Sequence, residues 1–211
     1  MKVWEPVALL VLAACSGIRC IYGWNEWKGQ DNSFRAVCCN LHTYIWTGIW
    51  LLAYGVLWMF GGRSFQLIRM ADLLAMYVVL GAVDGKRKVV PSEILVCYFA
   101  GQIFTAACGE PLADLVFLFL TGTLFGAVLA AVSFLSKGQF GLGDVKLLAV
   151  TAMTAGYSLA FQILVLALLL SFIYSLYLLM VQKMSTHTEI PFVPFLAAGA
   201  AASFLLSVSL P

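Results

Sequence analysis

Charge is scarce in this chain. Only 10% of its 211 residues are Asp, Glu, Lys or Arg, against about 25% in a soluble globular domain. The net charge is +2 and the basic residues are scattered, which excludes the dense basic surface that nucleic-acid binding needs. Histidine is rarer still. His42 and His187 both fall at segment edges with no nucleophile motif beside them, so no serine–histidine or cysteine–histidine arrangement is readable. None of the six cysteines forms a C-x-x-C pair, so no zinc ribbon, metal site or cofactor is expected. Cys15, Cys20, Cys97 and Cys108 read as small apolar membrane residues, and the adjacent Cys38 and Cys39 make a poor metal clamp. Internal repeats, low-complexity tracts and a soluble domain are all missing.

What the chain has is apolar surface. Hydrophobic residues make up 63% of it and the mean hydropathy is +0.97, the balance of a polytopic membrane protein whose first partner is the lipid bilayer. The expected fold class is all-α, a transmembrane helix bundle. Eight segments approach the ~20 apolar residues a membrane helix needs: 3–24, 42–60, 65–83, 91–108, 112–135, 144–156, 159–182 and 190–210. Lys2 before the apolar run Val7–Ala14 resembles a signal peptide, but Glu5 interrupts it and no small-x-small cleavage site follows, so a retained first span is expected. The longest polar loop, 25–41, divides residues 1–64, with two spans, from the compact run of six segments in 65–211. The sixth segment is short: thirteen residues reach about 20 Å, against a hydrocarbon core of about 30 Å. A polar cleft is expected at its mouth, because irregular backbone at membrane depth is tolerated only inside protein or beside water.

Lysine and arginine orient the bundle. With eight spans, Lys28, Arg35, Lys86, Arg87, Lys88, Lys137 and Lys183 share one side, and Lys2 and Arg63 the other. The first side is expected to be cytoplasmic, with both termini outside. Asp84, closing the third span, and Asp144, opening the sixth, then meet the same cytoplasmic face.

The other carboxylates have simple explanations. Glu5, Glu26, Asp31, Glu110 and Glu189 lie at span ends or in loops, and Glu93 and Asp114 begin helices, where the dipole favours an anion. Asp72 stands inside a span, three residues after Arg69 on one helix face, a spacing that suggests a structural pair. Asp84 and Asp144 each adjoin a glycine, Gly85 and Gly143, and either alone reads equally well as a cap. Together they suit acid–base chemistry, since two close carboxylates share a proton, one activating water and the other protonating a scissile carbonyl.

Those residues carry a resemblance. Gly141-Leu142-Gly143-Asp144-Val145-Lys146-Leu147-Leu148 resembles the G-x-G-D-x-K-L-L motif of type IV prepilin peptidases, the GxGD intramembrane aspartyl proteases. Val83-Asp84-Gly85-Lys86-Arg87-Lys88-Val89-Val90-Pro91 resembles that family's first catalytic stretch, and Ile190-Pro191-Phe192-Val193-Pro194-Phe195-Leu196 its P-F-x-P-F-L segment. The resemblance implies cleavage of the basic leader of prepilins or pseudopilins at the cytoplasmic membrane face, with Asp84 and Asp144 catalytic. Gly141, Gly143, Lys146, Pro91, Pro191, Phe192 and Pro194 would shape or support the cleft. Lys146 follows Asp144 by two residues, about 200° round a helix, and should snorkel away from it toward lipid phosphate. Ser92 stands where the family commonly has asparagine. Loop 25–41 is too short for the two C-x-x-C pairs of the bifunctional members, which implies a small form without N-methylation. Presenilin-like proteases fit less well, because Val83 precedes the first aspartate and the late proline segment reads Pro-Phe-Leu. A small transporter or channel using both aspartates as a proton or ion path is the alternative from another class.

Overall fold

Apolar chain in a bilayer must satisfy its own backbone, which leaves helices or closed barrels. The computed structural model describes residues 4–29, 37, 41–60, 65–109, 111–136, 140–181 and 191–209, and every regular element among them is α-helical. In chain order they are α1 (Trp4–Lys28), α2 (Leu41–Phe60), α3 (Phe65–Arg87), α4 (Ser92–Gly109), α5 (Leu112–Leu135), α6 (Leu142–Ala155), α7 (Tyr157–Val181) and α8 (Val193–Ser209). The expected helical membrane bundle is the fold. By length and composition four helices can cross a membrane, α1, α3, α5 and α7, while α4 and α8 are shorter apolar helices.

Several boundaries move. The third helix does not end at Asp84 but continues through Arg87, with the Lys88 amide donating to the Asp84 carbonyl at 2.8 Å. Lys88 then turns left-handed at φ 55° and stops it. The break after α6 falls at Gly156, φ 98°, rather than at Tyr157-Ser158, because only glycine adopts that backbone cheaply. Asp144 is not the N-cap of α6. Gly141 is, and Asp144 occupies the first turn.

The main core gathers Leu73, Met76, Tyr77 and Leu80 of α3, Ile94 and Tyr98 of α4, Leu147 and Leu148 of α6, Ile163 of α7 and Leu196 of α8. Ile21 and Tyr22 of α1 join that same core, so α1 is packed into it rather than set apart. A smaller cluster ties α1 to α2 through Leu12, Ala13, Tyr54 and Trp58. On α5 and α7 large apolar side chains such as Phe117, Leu120, Leu124, Phe161, Leu169 and Phe172 remain exposed, the surface a lipid-facing helix presents.

Inside the bundle, Asp72 is fully enclosed. Ser16 and Tyr54 each donate to its carboxylate at 2.7 Å, Gln102 donates at 2.9 Å, and the Arg19 guanidinium forms the ion pair. Asp72 is thus structural, as expected, but the cation closing on it comes from α1, 53 residues away. Arg69, the partner suggested by helical spacing, donates to Gln102 Oε1 and to the Thr154 carbonyl. A salt bridge buried on this scale is held by its extra hydrogen bonds, which offset the cost of removing two charges from water.

Candidate active site

Asp84 lies in the last turn of α3, and its side chain is directed at the start of α8. The Val193 amide donates to Asp84 Oδ2 at 3.1 Å, and the Phe192 amide also serves as a donor to the carboxylate. The Val193 amide is the first of α8 and the Phe192 amide just precedes it, where N–H groups have no partner within the helix. The Pro191–Pro194 segment therefore supplies unpaired N–H groups where a buried carboxylate needs them. Asp84 is 7% exposed, so this orientation is held by packing as well. Pro194 sits against α3 at Gly81, its Cα 3.6 Å from where a Cβ on Gly81 would stand.

Asp144 enters from the other side. Two glycines let it do so. A Cβ on Gly143 would lie 3.1 Å from the Val90 side chain, and one on Gly141 would lie 2.9 Å from Asp144 Oδ2. The turn following α3 and the turn opening α6 are thus in close contact, and the carboxylate folds back over its own N-cap. Among the described residues no protein donor reaches the Asp144 carboxylate. α6 is not one of the four crossing helices, since its fourteen residues reach about 21 Å, and Asp144 stands at its mouth. Burial, and then the neighbouring negative charge of Asp84, push the Asp144 carboxyl up to about 6. The two carboxylates are close enough to feel one another, one anchored by amides and the other with no protein donor among the described residues.

Other sequence-selected residues fall around the pair. Phe192 packs edge-on against Phe140, at 6.0 Å between ring centroids, joining the proline segment to the residue before Gly141. Ser133 at the end of α5 donates to the Phe140 carbonyl at 2.6 Å and holds that residue in place. Pro91 is buried just before α4, and Lys146 is exposed. Lys137, Lys183, His187, Ile190, Cys38 and Cys39 lie outside the described residues.

The sequence reading missed a pair of hydroxyl bridges that seat α6. Tyr77 and Thr151 are 2.9 Å apart, and Tyr98 and Thr154 are 3.2 Å apart. A signal for the first existed. Tyr77 precedes Asp84 by seven residues and Thr151 follows Asp144 by seven, and seven residues are almost two full helical turns. Each polar residue therefore shares a face with its aspartate. Nothing local pointed to the Val193 amide or to Arg19, whose partners are 109 and 53 residues away.

Comparison with known proteins gives the family. Residues 71–180, just over half of the chain, match the model of the type IV leader peptidase family. A protein named prepilin leader peptidase/N-methyltransferase, from Bacillus subtilis (strain 168), is 24% identical over 150 residues, 71% of this chain and 60% of that relative. The chain thus matches less than two thirds of the relative's length. No solved structure matches.

Proposed function

The chain belongs to the type IV leader peptidase family, and from that premise we propose that it is an aspartyl endopeptidase with Asp84 and Asp144 as the catalytic pair. The observation that carries this reading is the contact between the turn after Asp84 and the turn that opens α6 before Asp144, where a Cβ on Gly143 would lie 3.1 Å from the Val90 side chain, so that carboxylates from separate helices come to one end of the bundle. Asp84, held by the α8 amides, is the base that takes a proton from water as the water oxygen attacks the scissile carbonyl carbon. Asp144 gives its proton to the carbonyl oxygen. Collapse of the resulting diol reforms the carbonyl and breaks the C–N bond. The proton on Asp84 passes to the departing amine, and Asp144 recovers one from the diol hydroxyl.

The substrate is the basic leader of a prepilin or pseudopilin, followed by its apolar helix. The excess of lysine and arginine at the aspartate end supports a site on the cytoplasmic face of a bacterial membrane and both termini outside. Helices of residues 65–211 carry the chemistry, and α1 and α2 brace them through the Asp72 cluster. Loop 25–41 is too short to hold the cysteine pairs of a bifunctional enzyme, which supports cleavage without N-methylation. The test is processing of a leader-bearing prepilin by membranes containing the protein. Cleavage is expected with the native chain and absent with Asp144→Asn, and full processing by that variant overturns the assignment.

A further inference from the structure

A second feature lies on the far side of α3. The Asp84 carboxylate reaches α8, whereas Ala82, two residues earlier and about 200° round the helix, faces a groove between α1, α2 and α3. Its volume is about 780 Å³, and its walls include Trp24, Trp27, Trp46, Val78, Val79 and Ala82. It opens outward: Trp24 is 53% exposed and Val78 65%. Two cations stand at its rim, stacked on its tryptophans. Lys28 Nζ lies 4.7 Å from the Trp24 ring centre, and Lys86 Nζ lies 3.8 Å from that of Trp27. Arg87 is already matched by Glu26 at 2.6 Å, and no acidic side chain lines the groove among the described residues.

We propose that this groove is a binding site for an anionic phospholipid, with an acyl chain along Val78, Val79 and Ala82 and the headgroup phosphate at the cationic rim that Lys28 and Lys86 form. The shape is that of an apolar slot with a charged rim. The ring contacts hold each ammonium at the mouth, so less side-chain freedom is lost when an anion arrives. Basic pockets between membrane helices take anionic headgroups for this reason. The same cations oppose a segment of basic sequence, which makes the groove a poor seat for a positively charged peptide.

The full chain in phosphatidylcholine nanodiscs tests it, titrated with phosphatidylglycerol whose acyl chains are brominated to quench tryptophan. Saturable quenching at low mole fraction is expected, with brominated phosphatidylcholine giving only a linear loss. Lys28→Gln with Lys86→Gln should shift half-saturation upward on the order of thirtyfold, from about the gain each of two lysines makes near an anionic surface. Lys28→Arg with Lys86→Arg should keep it. Replacing Trp24, Trp27 and Trp46 by Phe should remove the saturable component. Equal quenching by the two lipids, an unchanged midpoint in the glutamine pair, or a saturable component that vanishes as a second copy enters each disc would overturn the proposal.

Discussion

The hydroxyls of Tyr77 and Thr151 meet at 2.9 Å, two helical turns below Asp84 on α3 and two turns below Asp144 on α6. The helices run in opposite directions, so one bond at that level sets the register in which both aspartates reach the same end. Tyr77→Phe is expected to cost about 1 kcal/mol of stability and to lower the rate constant of cleavage with little change in KM. Adding Thr151→Val should cost little more, because both partners of the bond are then gone. A double variant whose losses equal the sum of the two single ones would show that the bond does not set the register.

Replacing either aspartate separates chemistry from folding. Asp84→Asn and Asp144→Asn should each abolish leader cleavage while leaving expression and helicity intact, since one carboxylate cannot serve as both acid and base. Asp114, in the first turn of α5, lines a different cavity, with Arg69 and Gln102. Asp114→Asn should retain activity in the same membrane assay.

Acidity offers an independent check. The Asp144 carboxyl is raised from 3.8 to about 6 by burial and by Asp84. In Asp84→Asn it should titrate lower, followed by the carboxyl stretch in infrared spectra, because the second cause is removed. The sign for stability follows. A carboxyl with a raised folded value keeps more protons in the native state across that window, so its contribution is lost as pH rises toward and through 6. Asp144→Asn removes the penalty. The variant should melt higher than the native chain near pH 8, by about 2 kcal/mol after screening, with the gap closing below about pH 4. An unchanged gap across that range would place the effect elsewhere.

The buried ion pair behaves in the opposite way. Asp72→Asn leaves the Arg19 guanidinium uncompensated at 0% exposure, and breaking such a pair costs roughly 3–5 kcal/mol. Loss of folded protein in thermal melts is therefore expected. Replacing Arg19 and Asp72 together with apolar residues of similar volume should recover much of that loss. A double variant as unstable as the single ones would show that Ser16, Tyr54 and Gln102 need the charge.

Processing without methylation is tested on the product. The new N-terminus of the cleaved substrate should carry no added methyl group, and chelators should leave cleavage intact. A gain of about 14 Da that depends on this protein, the mass of one CH₂, would prove the reading wrong.

Composition and hydrophobic runs were enough for the membrane class and for the helices, because a backbone in lipid has little alternative. The glycine–aspartate motifs were legible for a related reason. Gly141 and Gly143 stand beside Asp144 in the sequence itself, and a Cβ on Gly141 would lie 2.9 Å from Asp144 Oδ2, so that part of the constraint is written locally. Helix ends were less so. Asp84 falls inside α3 because the left-handed Lys88, not the aspartate, stops the helix. Tertiary structure alone decided the partners. Arg19 closes on Asp72 across 53 residues, and the Val193 amide reaches Asp84 across 109. Pairings of that kind depend on how rigid helices pack side by side, and spacing within any one helix carries no record of its neighbour.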